Sequence, residues 1–104
     1  MGSVDTKQER PSERLSEHRG EVLELLERFG ATNIQVFGSV ARGEDTVHSD
    51  LDILLDFPPE VGLFKQCGLL VDLMEILGCN VDLVKYREVP EKSRGRVIGE
   101  ARPL

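Results

Sequence analysis

No stretch of this 104-residue chain comes near the ~20 consecutive apolar residues that cross a bilayer. With 39% hydrophobic and 31% charged residues it reads as an ordinary globular protein, expected in the cytoplasm. Met1-Gly2 with Thr6 matches a loose myristoylation pattern. No second membrane signal follows, and one acyl chain alone binds only marginally, so no membrane partner is expected. Cysteine is scarce: Cys67 and Cys79 stand with no second pair and no flanking histidine. Neither a disulfide framework nor a zinc site is indicated, and both cysteines are expected as reduced core thiols. Of the two histidines, His18 falls near a helix's apolar stripe and His48 in a loop, and neither is given a role. Basic charge is short as well. Residues 1–84 hold 16 acidic against 7 basic residues, and only 85–104 reverse the balance, with 3 against 6. An acidic body argues against direct nucleic-acid binding, which needs clustered Lys and Arg. Repeats, low complexity and linkers are absent too.

What is present suits one small domain. Residues 1–11 are polar and aperiodic and read as a disordered lead, leaving 12–104 as a single domain. Leu15, Val22, Leu25, Leu26 and Phe29 recur at helical spacing and predict a helix over 12–29, N-capped by Ser12 and stopped at Gly30. Strands follow at 33–37 and 50–57, the second closed by Pro58-Pro59, which cannot continue a ladder. A helix over 61–77 carries Leu63, Cys67, Leu70, Val71, Met74 and Leu77 on its core face and ends at Gly78. Leu69, Leu73 and Ile76 make a further stripe, read either as a partner surface or as a patch covered by the chain's own terminal segment. A third strand is read at 79–86 and a weak last helix at 90–101. The fold class is α+β: helices packed on one face of a small mixed sheet, with the polar face opposite.

The chemistry lies between residues 34 and 57. The first strand runs into Gly38-Ser39, and Ser39 to Arg42 reads as the first turn of a short helix, whose free N–H groups suit phosphate. In the second strand Asp50, Asp52, Leu54 and Asp56 share one face, while Leu51, Ile53, Leu55 and Phe57 share the other. Carboxylates two residues apart on a strand, roughly 6.5 Å between Cα atoms, can lean onto divalent cations about 3.5–4 Å apart. Asp56, about 13 Å beyond Asp52 by strand rise, is expected in solvent. In the third strand Asp82 sits alone among apolar residues, a costly place for a carboxylate unless it is exposed, paired or metal-bound.

Gly38-Ser39, ten residues, then Asp50-x-Asp52, with Ala41-Arg42-Gly43 and Ser49 between, resembles the signature of the polymerase β-type nucleotidyltransferases. Within that superfamily the chain looks like the minimal nucleotidyltransferases, small prokaryotic proteins that often act as antitoxins to HEPN-domain toxins. The likeness runs over about residues 12–102. It implies a polymerase β-like fold and catalytic, metal-holding carboxylates at Asp50, Asp52 and Asp82. It implies nucleotide contacts from Gly38, Ser39, Arg42 and Ser49, with ATP as substrate and two Mg²⁺ ions as cofactors. The implied reaction is AMP transfer to a hydroxyl, expected to be a tyrosine, of a cognate HEPN ribonuclease toxin. A homo-oligomer is a further possible partner. Two alternatives stay open from the sequence: an antitoxin that neutralises by binding alone, and a transferase acting on a small molecule.

Overall fold

The computed structural model describes residues 9–104, so the myristoylation pattern and most of the polar lead lie outside the described residues. Helix α1 (Pro11–Arg28) begins one residue before the expected cap. Pro11 takes the first helical position, where its missing N–H costs nothing, and Glu13 Oε1 accepts the Arg10 N–H at 2.9 Å. The helix bends at His18, whose backbone leaves helical values, and His18 Nδ1 lies 2.9 Å from Glu21 Oε1.

Strand β1 (Thr32–Phe37), short helix α2 (Gly38–Arg42) and strand β2 (Leu51–Asp56) form one hairpin-like unit. β1 and β2 pair antiparallel, with Phe37 opposite Asp52 and an irregularity between Thr32 and Gln35. There Asn33 takes φ 53, and its amide donates to Asp56 Oδ2 at 3.3 Å. Asp56 is thus half-buried and partnered rather than fully in solvent. Helix α3 (Leu63–Leu77) then crosses over to strand β3 (Val81–Lys85), which pairs parallel with β2 in the register Asp52–Asp82. Parallel pairing needs such a crossover. A 3-10 turn at Tyr86–Glu88, helix α4 (Glu91–Glu100) and a two-residue strand β4 (Arg102–Pro103) complete the chain, giving sheet order β3-β2-β1-β4.

Alternation decides the two faces of the sheet. Val36, Leu51, Ile53, Leu55 and Val81 join Leu15, Val22 and Leu26 of α1 and Leu69, Leu73 and Leu77 of α3 in one core. The opposite face carries Asp52 and Asp82. Leu54 shares that polar face yet is fully buried, near where the 3-10 turn crosses β2 and Tyr86 donates its hydroxyl to the Gln35 side chain at 2.8 Å. Among the described residues no helix is long and apolar enough to cross a membrane.

Two sequence expectations for α3 are overturned. Leu69 and Leu73 are fully buried and Ile76 packs against the core, so this stripe is no partner surface: the chain itself covers it, with Leu15, Val22 and Leu26 of α1 and the C-terminal Leu104 in the same cluster. Leu63, Cys67 and Val71, read as core, are instead exposed, and Cys67 is therefore no core thiol. The physical reason is that α3 is apolar around most of its girth. Periodicity left its rotation undetermined, and packing against α1 and the sheet chose it. Cys79 is half-buried, and burial pushes its thiol up, away from reactive thiolate character. Leu73→Ala should lower the free energy of unfolding by about 2–5 kcal/mol in urea denaturation, the usual cost of a core cavity. A loss under about 0.5 kcal/mol would mark the position as surface.

Candidate active site

Three elements converge on Asp52. The hairpin register sets Phe37 beside it on β1, so the next residue, Gly38, turns into α2 directly under the carboxylate. Gly38 has φ 72, in the left-handed region where glycine is favoured. A Cβ at this position would lie 2.5 Å from Asp52 Oδ2, so no larger residue leaves the carboxylate in place. On the other side, parallel register puts Asp82 next to Asp52 across a strand spacing of about 4.8 Å. Like charges placed side by side this way are unfavourable.

The electrostatics record that arrangement. Asp52, half-buried, is pushed up to about 6, first by burial and then by the charges of Asp82 and Asp50, against a lowering by Arg42. Asp50 and Asp82 are both exposed, so the three carboxylates form an open face rather than a closed cleft. A cavity of about 280 Å³ lies elsewhere, beside Asp56, Phe57, Lys85 and Arg87, at the opposite end of β2. Among the described residues no three His, Cys, Asp or Glu side chains form a ready-made metal cage. The donor set still fits Mg²⁺. That ion prefers hard oxygen ligands and is usually held by one or two carboxylates, with substrate phosphates and water completing its shell. Excess negative charge around Asp52 is the condition a cation relieves.

The remaining sequence candidates fall around this centre in different states. No side chain caps the N-terminus of α2, which starts at Gly38 and Ser39. Arg42 ends the helix with its guanidinium held by Glu44 Oε1 at 2.9 Å and by Glu100 Oε1 of α4 at 3.1 Å, and these partners push its ionisation further up. Ser49 serves the loop before β2, where its Oγ accepts the Thr46 N–H at 2.8 Å. Two further residues of the site's frame carry no sequence signal. Glu100 reaches Arg42 across 58 positions. Asp45, the one buried charged residue among those described, ties the same loop to α1 by accepting the Ser12 N–H at 2.9 Å. An acidic side chain at a helix N-terminus is favourable, but the partner is 33 residues away and the pairing cannot be read locally.

Comparison with known proteins now decides the family. The model of the nucleotidyltransferase domain matches residues 15–104, nearly the whole described chain. The chain belongs to the nucleotidyltransferase domain family. Within it, the protein is a minimal nucleotidyltransferase. A solved structure provisionally described as a minimal nucleotidyltransferase superposes with TM-score 0.80 at 42% identity, covering 89% of this chain and 95% of that one. The protein adenylyltransferase MntA of Thermococcus cleftensis is 51% identical over 61 residues, spanning 59% of this chain and 62% of that protein. A mutant toxin–antitoxin complex, MntA–HpeT, superposes with TM-score 0.62 at 26% identity, covering 83% of this chain and 70% of that one. The minimal nucleotidyltransferase fold expected from the sequence is therefore the fold observed.

Gly38→Ala tests the turn beneath Asp52. A non-glycine residue at this φ costs about 1–2 kcal/mol, and the new methyl would displace the Asp52 carboxylate. Urea unfolding should show that loss of stability. Unchanged stability would mean that the turn relaxes to negative φ and that the close approach is dispensable.

Proposed function

We propose that this minimal nucleotidyltransferase transfers AMP from ATP to a hydroxyl of a cognate HEPN ribonuclease toxin, expected to be a tyrosine, and so neutralises it. The observation that carries this reading is the Asp52 carboxylate, seated on Gly38 and flanked by Asp82, at the start of an uncapped helix. Support from outside the chain comes from a relative named as a protein adenylyltransferase and from structural likeness to a toxin–antitoxin complex.

In this reading Gly38 and Ser39 present backbone N–H groups and a hydroxyl to the triphosphate. Arg42 and Ser49 join them by exchanging a present intrachain partner for a phosphate oxygen. Asp50 and Asp52 would hold two Mg²⁺ ions, with Asp82 as a further carboxylate ligand. Bound there, the ions would neutralise charge developing on the phosphate and ease ionisation of the acceptor hydroxyl. The acceptor oxygen bonds to the α-phosphorus, the α–β anhydride bond breaks in line, and pyrophosphate leaves. Asp82 takes the hydroxyl proton. Because β3 is an edge strand and Asp82 is exposed, an acceptor on another protein can reach that carboxylate from solvent. Most of the rate comes from positioning and charge neutralisation, with little covalent work by the protein.

A trace of this protein mixed with its toxin, ATP and Mg²⁺ should add about 329 Da per transferred group to the toxin, the mass of AMP less water in phosphoryl transfer to a hydroxyl. Asp52→Asn should abolish the label. Neutralisation that needs equimolar protein, survives Asp52→Asn and leaves the toxin mass unaltered would support an antitoxin that acts by binding alone.

A further inference from the structure

Helix α3 buries Leu69, Leu73 and Leu77 and turns a second apolar line outward. Phe64 is 93% exposed and Val71 50% exposed, and Gly68 lies between them on the same solvent-facing side. An aromatic ring left almost wholly in water is unfavourable, and such residues anchor interfaces when they find a partner. Gly68 adds a second anomaly. Glycine weakens a helix interior, and nothing lies within 4 Å of the place its Cβ would occupy, so no contact inside the chain calls for it. A glycine facing open space in mid-helix does allow a second backbone to come close.

The charges on this face complement their own two-fold image. Lys65 and Asp72 are exposed on one flank, three residues before and four after Gly68, and no ion pair among the described residues uses either. If two copies of α3 cross antiparallel at Gly68, Lys65 of each meets Asp72 of the other, and Phe64 of each packs near Val71 of the other. Glu75 then falls beside the N-terminus of the second helix, which has no acidic residue in its first turn and no side-chain cap. Each feature is opposite in sign or apolar to its partner, as a self-complementary interface requires.

We propose that the outer face of α3, centred on Gly68, is the interface of a symmetric antiparallel dimer of this chain. It lies on the helix-covered side of the sheet, so both copies keep their Asp52 faces open. The proposal is independent of the transfer reaction, and none of its readouts uses a nucleotide. One helix pair lies at the small end of stable interfaces, so the dimer forms as concentration rises.

The test uses the full chain. In sedimentation velocity under reducing conditions, the wild-type mass should climb toward twice the chain mass with concentration. Phe64→Glu, at a side chain already in solvent, should keep the same circular dichroism and unfolding curve but remain at the single-chain mass. Cys67 is exposed and one residue from the crossing point, so mild copper–phenanthroline oxidation should link two copies through Cys67. The cross-link should persist in Cys79→Ser, vanish in Cys67→Ser and fall at least several-fold in Phe64→Glu. A wild-type protein that stays monomeric at every concentration overturns the proposal, including the case in which Phe64→Glu disturbs only toxin binding. A dimer indifferent to Phe64→Glu, or a cross-link that requires Cys79, overturns it as well.

Discussion

The structure depends on one crowded contact, the Asp52 carboxylate held against the backbone of Gly38 with Asp82 beside it. Each part is unfavourable taken alone. Gly38 occupies a left-handed φ, Asp52 is half-buried, and a second carboxylate lies in the neighbouring strand position. Groups held this way persist only where the surrounding fold over-determines them. Here β2 does so. It is paired on both sides along its length, and Leu51, Ile53, Leu54 and Leu55 around Asp52 are fully buried.

The elements around that contact read as the means of producing it. The antiparallel register of β1 brings its last residue opposite Asp52 and starts α2 under the carboxylate. The α3 crossover brings β3 back parallel and sets Asp82 in the same row. Asp45 anchors the intervening loop to α1, while Glu44 and Glu100 fix the guanidinium of Arg42 beside the centre. The result is an electronegative open face on a rigid sheet, whose excess charge bound divalent cations would offset.

Much of this was legible in the sequence because the decisive residues lie close together in the chain. Gly38, Ser39, Asp50 and Asp52 fall within one hairpin-like unit, and period-two alternation in β2 separates its carboxylates from its core residues without tertiary information. Asp82 stood out because its strand neighbours are apolar. The orientation of α3 did not follow. A helix apolar on nearly every side gives no single preferred face, and packing buried Leu69 and Leu73 while leaving Phe64 and Val71 outside. Long-range polar ties were equally hidden. Glu100 to Arg42 and Asp45 to Ser12 join segments whose local patterns say nothing of each other. The two-residue strand β4, ending in proline, is too short for alternation to mark, although proline at a sheet edge is where a missing donor is tolerated.

The central claim, that Asp52 is held in a like-charge, partly desolvated setting made by Gly38 and Asp82, is tested most directly by titrating its carboxyl carbon by NMR in metal-free protein. The resonance should titrate with a midpoint of about 6, because burial and the neighbouring carboxylates both favour the protonated form. Asp82→Asn should move that midpoint downward by removing one of the repelling charges. A midpoint at the ordinary aspartate value of 3.8, unmoved by Asp82→Asn, would contradict the account.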